Sequence, residues 1–154
     1  MRYVVARADE IPPGGRKIVQ VAGRSVGVFN LGGEFFALRN RCPHQGGPMC
    51  EGPLWGRLES ARPGEFRLGP PELVTCLWHC WEYSIRTGQS WWNPDRMRVR
   101  RYDVSLEPAD AAAPADPADP ADAPPAPGLV PGPYRAETYP AARDGHLVVV
   151  DVPD

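Results

Sequence analysis

Lysine is nearly missing from this 154-residue chain: Lys17 stands alone among 17 basic residues. Histidine is scarce too, with only His44, His79 and His146. The formal net charge is −2, which leaves no bulk attraction to nucleic acid or to anionic lipid. Long apolar runs are absent. The longest, such as Leu147 to Val150, suit a strand and are far too short to cross a bilayer. The first ten residues, Met1 to Glu10, lack the apolar stretch of a secretory signal. A cytoplasmic protein with no membrane or nucleic-acid partner is therefore the default expectation. A helical apolar period of useful length is missing as well, which argues against an all-α fold.

What is abundant is proline, at 20 residues, and glycine, at 16. Between these breakers lie short β-branched runs at 3–6, 17–21, 26–31 and 34–38. Gly-rich turn signals separate them, as in an antiparallel sandwich or barrel. Further strands are expected at 73–77, 83–85 and 98–106. Residues 54–72 read as a second irregular region, with Pro63-Gly64 and Gly69-Pro70-Pro71 as breakers. Residues 107–133 are low complexity, built on a repeated Ala-Asp-Pro unit with acids and no bases. Such a stretch buries too little apolar surface to offset the entropy of ordering. It reads as an extended insertion within one domain over 1–154. Closing strands at 134–153 follow it, as a hairpin of 134–139 and 146–152 around Arg143-Asp144-Gly145.

Two short motifs carry chemistry. The first is Cys42-Pro43-His44-Gln45-Gly46 and the second is Cys76-Leu77-Trp78-His79. Each offers one thiolate and one imidazole. In a chain with no sign of secretion, cysteine beside histidine points to metal before disulfide. Structural zinc favours Cys-x₂₋₄-Cys and His-x₃₋₅-His pairs, so this spacing is unusual for zinc. One residue between Cys42 and His44 is tight for chelating a single ion. It suits a two-iron cluster in which thiolates hold one iron and imidazoles the other.

These residues resemble the Rieske [2Fe–2S] family, specifically its soluble, ferredoxin-like members. Cys-x-His-x-Gly is followed by Cys-x-x-His, and the resemblance extends to Phe35-Phe36-Ala37-Leu38 before the first motif and to Trp81-Glu82-Tyr83-Ser84 after the second. It spans about 3–106 and the final strands. The resemblance implies an all-β, Rieske-type antiparallel sandwich or barrel, with a small cluster-binding subdomain at about 40–90 carrying two metal loops. It implies one [2Fe–2S] cluster per chain, with Cys42 and Cys76 on the inner iron and His44 and His79 on the outer. It also implies a carrier of single electrons between redox partner proteins, a reductase and an oxygenase or other acceptor. An oxygenase active site would need two more histidines and a carboxylate. Only His146 remains, so no catalytic residue is assigned. An accessory small subunit of a nitrite-reductase-like enzyme and a zinc-stabilised interaction module stay open as alternatives.

The chain departs from the family pattern in places that bear on the loops. Cys80 stands where glycine usually follows the second histidine, so strain or a shifted loop is expected. Leu77 stands where proline is usual. Trp81 replaces a serine that donates to sulfur in high-potential members, while Tyr83 keeps the accompanying tyrosine. The expected potential therefore lies toward the low end of the range of roughly −150 to +300 mV. Cys50 and Cys80 are left over, as two reduced thiols or as a disulfide. The stretch from Leu54 to Pro71 is expected as a flap beside the cluster. Trp55, Trp78 and Trp81 are candidates to shield it or to fill the core. The run Arg96, Arg98, Arg100, Arg101 reads either as a solvated strand face or as a contact for an acidic partner.

Overall fold

A computed structural model describes residues 1–109 and 145–153. Within them the chain forms β1 (Arg2–Arg7), β2 (Arg16–Val21), β3 (Arg24–Leu31), β4 (Glu34–Arg39), β5 (Leu54–Arg62), β6 (Glu65–Thr75), β7 (Glu82–Ser84), β8 (Arg101–Pro108) and β9 (His146–Asp151). The helical elements among these residues are two single 3₁₀ turns, Ala8–Glu10 and Met49–Glu51. Six strands form one sheet in the order β1-β9-β8-β4-β3-β2, and three form a second in the order β5-β6-β7. Every strand pairing is antiparallel.

Strands β3 and β4 are the wall between two cores. Side chains alternate across a strand, so neighbours along it face opposite ways. Val26, Val28 and Ala37 join Val148, Val150 and Ile11 in the core of the large sheet. Phe29, Leu31 and Leu38 face the other way, into a second core with Met49, Cys50, Val74, Tyr83 and Ile85. That second core also contains Cys42 and Cys76. β3 is accordingly buried without a break from Val26 to Leu31. The three-stranded sheet and both motif loops stand on this wall.

The expected strands fall where β1 to β4 and β7 to β9 lie, with shifted ends. The last strand before the low-complexity stretch runs on to Pro108, overlapping the first residues assigned to the insertion. β9 lies between β1 and β8. The hairpin partner expected at 134–139, like most of the insertion, lies outside the described residues.

Residues 54–72 are the clear correction. Far from irregular, they supply β5 and most of β6, a long two-stranded ribbon. Pro63-Gly64 links the paired residues Arg62 and Glu65, with Gly64 at φ +86°. That is the geometry of a tight turn with proline first and glycine second. The Gly69-Pro70-Pro71 breakers coincide with register shifts rather than an end to pairing. Residues 57–68 are exposed throughout, so this part of the ribbon is an arm standing off the body and not a flap.

Candidate metal centre

The two motif loops are built alike. In the first, the Gly46 amide donates to the Cys42 carbonyl (2.8 Å) and the Cys42 amide to the Gly47 carbonyl (2.8 Å). In the second, the Cys80 amide donates to the Cys76 carbonyl (2.9 Å) and the Cys76 amide to the Trp81 carbonyl (2.9 Å). Each loop thus closes on its own cysteine, over four and then five residues. The residue four after the cysteine takes a left-handed backbone in both, Gly46 at φ +81° and Cys80 at φ +57°. Cys80 is therefore the counterpart of Gly46, in a conformation that penalises a side chain by about 1–2 kcal/mol. The expected strain is present. Cys80→Gly should raise stability by about 0.5–1 kcal/mol, because glycine's greater freedom in the unfolded chain takes back part of the gain. A urea titration of the cofactor-loaded protein reads this as a higher midpoint at unchanged slope.

The closed loops bring the four motif side chains together as two pairs. Cys42 and Cys76 are buried as neighbours in the same core. Burial pushes the Cys76 thiol up, the Trp78 and His79 amides aimed at its sulfur oppose that, and the Cys42 sulfur adds to it. The Tyr83 hydroxyl lies 3.5 Å from the Cys42 sulfur. Burial, then the neighbouring Cys42, holds that hydroxyl protonated well above the ordinary tyrosine range.

The imidazoles form the outer pair. His44 and His79 meet edge to face, with ring centroids 4.6 Å apart. His44 is half-buried and stacks on Trp81 at 4.2 Å and 10°. His79 is exposed. Among the described residues, no three His, Cys, Asp or Glu side chains close around a single point.

The remaining residues singled out in the sequence fall elsewhere. Cys50 and Cys80 are free thiols. Cys50 is fully buried, its sulfur 3.7 Å from the carbonyls of Leu38 and Arg39. Burial raises its pKa to about 12, so it stays a neutral packing group. Cys80 is exposed. Trp55 and Trp78 are also exposed, so neither fills the core, although Trp78 covers Gly47, where a Cβ would lie 2.8 Å from its ring.

Residues 1–103 of the chain match the model of the Rieske [2Fe–2S] domain. The chain belongs to the Rieske family. It is 29% identical over 102 residues to the biphenyl dioxygenase ferredoxin subunit of Pseudomonas sp. strain KKS102, covering 66% of this chain and 81% of that one. It is 26% identical over 99 residues to the ferredoxin component of the naphthalene 1,2-dioxygenase/salicylate 5-hydroxylase systems of Ralstonia sp., covering 64% and 81%. Among solved structures, the ferredoxin of carbazole 1,9a-dioxygenase from Nocardioides aromaticivorans IC177 superposes with a TM-score of 0.54 at 25% identity, covering 70% of this chain and 90% of that one. The Rieske domain carries a [2Fe–2S] cluster, and the all-β fold is that of the family.

The residues present fit such a group. The Nδ1 atom of His44 is buried with no hydrogen-bond partner, and a buried polar nitrogen left so is unfavourable unless something binds it. Two adjacent buried thiols resist joint ionisation until a cation supplies the opposing charge. Sequence reasoning missed two contributors. One is the pair of amides aimed at Cys76, which follows from the loop conformation and has no residue signature. The other is Arg39 and Arg41, which the fold brings beside Arg98 and Arg100 at the first loop.

Proposed function

We propose that this chain is a Rieske-type ferredoxin, a carrier of single electrons between a reductase and an oxygenase or similar acceptor. When bound, the [2Fe–2S] cluster supplies a site that accepts and releases one electron. Cys42 and Cys76 would hold the inner iron from the buried side, and His44 and His79 the outer iron from the surface side. The observation that carries this reading is the pairing itself: sulfur with sulfur in the core, imidazole with imidazole at the surface, and an orphaned Nδ1 on His44. The ferredoxin subunits to which the chain is similar support the role, and they do not favour the nitrite-reductase-like alternative. Among the described residues no helix is long and apolar enough to cross a membrane. A cytoplasmic setting belongs to the same proposal, in keeping with the free thiols of Cys50 and Cys80.

The chain's own groups tune the site. The Tyr83 hydroxyl, 3.5 Å from the Cys42 sulfur, is placed to donate to it once that sulfur is a thiolate, and the amides of Trp78 and His79 are placed to do the same at Cys76. Donors aimed at sulfur favour the more negative, reduced state. Trp81 offers no hydroxyl and stacks on His44 instead, so the set of donors is incomplete. The midpoint potential should accordingly fall in the lower part of the Rieske range. Tyr83→Phe should lower it further, by about 40 mV, on the basis of about 1 kcal/mol of extra hydrogen bonding gained on reduction. A redox titration of the two proteins checks the shift, and an unchanged midpoint would remove Tyr83 from the tuning set.

The cofactor assignment is tested by iron and acid-labile sulfide analysis together with electron paramagnetic resonance of the reduced protein. The expected result is a mixed nitrogen/sulfur-ligated [2Fe–2S] signal. A colourless protein holding zinc and no sulfide would overturn it in favour of an interaction module.

A further inference from the structure

A cleft of about 490 Å³ opens beside the first motif loop, lined in part by Arg39, Arg41, Arg98, Arg100 and His44. No acidic side chain lines it. The four arginines come from separate stretches that the fold joins: the Arg39 amide donates to the Arg100 carbonyl at 2.8 Å. Arg98 and Arg100 flank buried Val99, and both line the cleft. Arg41 lies over the loop itself, where a Cβ on Gly46 would be 3.2 Å from its guanidinium. All four are exposed, and among the described residues none makes an ion pair. Arg98 makes only a long contact with a neutral group, its guanidinium donating to Gln89 Oε1 at 3.5 Å, whereas Arg101 is turned aside to the Arg86 carbonyl at 3.1 Å.

We infer that this arginine cluster is the docking surface for an acidic face of the redox partner, placing that partner against the His44 edge of the site. The inference rests on the ferredoxin reading above and adds the sign and position of the charge that recognises the partner. Four like charges held together without a counter-charge repel one another, so the arrangement is unfavourable until an anionic surface meets it. The chain's net charge of −2 works the other way, which makes the cluster a local feature and not a bulk property. Next to the site, exposed Leu77 and Trp78 add an apolar portion. Arginine and tryptophan beside an apolar patch are the composition of a protein interface. Nucleic acid would be met by a longer basic track, free of the overall negative charge.

The test uses the cofactor-loaded protein and a fluorescein-labelled hexaglutamate peptide as the acidic probe, read by anisotropy at low salt. Binding is expected, with loss on raising salt beyond the screening range. Arg41→Glu with Arg98→Glu should weaken it about tenfold or more. Arg62→Glu with Arg67→Glu, the same charge change placed on the exposed arm, should leave it nearly unchanged. If the Arg41 change disturbs the loop, Arg98→Glu with Arg100→Glu carries the same comparison. Saturating hexaglutamate should also slow the one-electron oxidation of the reduced protein by ferricyanide, because the peptide covers the His44 edge.

Equal weakening by the arm and cluster variants, binding of hexalysine as tight as hexaglutamate, or an unchanged ferricyanide rate would overturn the inference. So would cluster-dependent binding of a DNA duplex without binding of the peptide. Paramagnetic resonance separates the two readings: absence of the reduced signal in the unsubstituted protein counts against the cofactor assignment, its loss in a variant alone marks a disturbed loop and removes that variant from the comparison, and peptide binding reports the arginine cluster independently.

Discussion

Alanine in place of His44 or of His79 should abolish the mixed nitrogen/sulfur-ligated paramagnetic signal, because each variant removes one of only two imidazoles at the site. The two substitutions are not equivalent in their surroundings. His44 is half-buried under Trp81, and its Nδ1 is the atom left without a partner. His44→Ala therefore also opens a gap beneath the indole. His79 is exposed, so His79→Ala removes little packing. The apoprotein of the His79 variant should thus resemble the wild-type apoprotein in denaturant midpoint, while both variants lose iron and sulfide. Survival of the signal in both would refute the ligand assignment. Survival in one alone would mean that another side chain takes that position. The free imidazole of His146 lies on β9, in the other sheet, and is no substitute.

Gly52→Ala should be the most damaging alanine substitution among the described glycines. Gly52 follows the 3₁₀ turn Met49–Glu51 and is buried. A Cβ there would lie 1.6 Å from the carbonyl oxygen of Thr75 and 2.8 Å from its carbon. The clash is with backbone, which has no rotamer to change. The same Thr75 is held in place there, its amide donating to the Pro53 carbonyl at 3.0 Å. Arg16 adds a third tie, its guanidinium donating to the carbonyls of Gly52 and Glu51. Thr75 immediately precedes Cys76, so relief of the clash must shift the backbone that carries Cys76 into the second loop. We expect a loss of about 3 kcal/mol or more. Cluster content should fall in parallel, measured by urea unfolding and by visible absorbance per chain. Ala at Gly64, on the tip of the arm with open space around it, is the contrast: strain at φ +86° but no collision and no effect on the site.

Much of this architecture was legible before any coordinates. β2, β3 and β4 announce themselves as β-branched or aromatic runs between Gly-rich turns. The two motifs locate the loops because Cys-x-His-x-Gly and Cys-x-x-His are local in sequence, and a local pattern survives without knowledge of the fold. The departure at Cys80 was visible for the same reason, and its left-handed backbone bears it out. The ribbon at 54–75 was hidden because most of it buries nothing. Its order comes from the backbone ladder and from cross-strand pairs such as Leu58 with Leu68 and Glu59 with Arg67, which leave no apolar period to read. Gly52 was hidden because its constraint is imposed by Thr75, a residue far away in sequence. The arginine cluster was half visible. Arg98 and Arg100 stood out as a run, but Arg39 and Arg41 join them only through the contact of β4 with the segment entering β8.

The junction between β8 and β9 has a further meaning for how this protein tolerates change. Ala109 donates its amide to the Gly145 carbonyl at 2.9 Å, just past the last paired residues, Pro108 and His146. The β8–β9 pairing thus runs on to the two residues, Ala109 and Gly145, that border the intervening sequence. Chain length between two fixed ends enters stability only logarithmically, about 0.6 kcal/mol for each doubling of a flexible loop. Because Ala109 and Gly145 are pinned side by side, a change in the number of residues between them need not alter the pairing of β8 with β9.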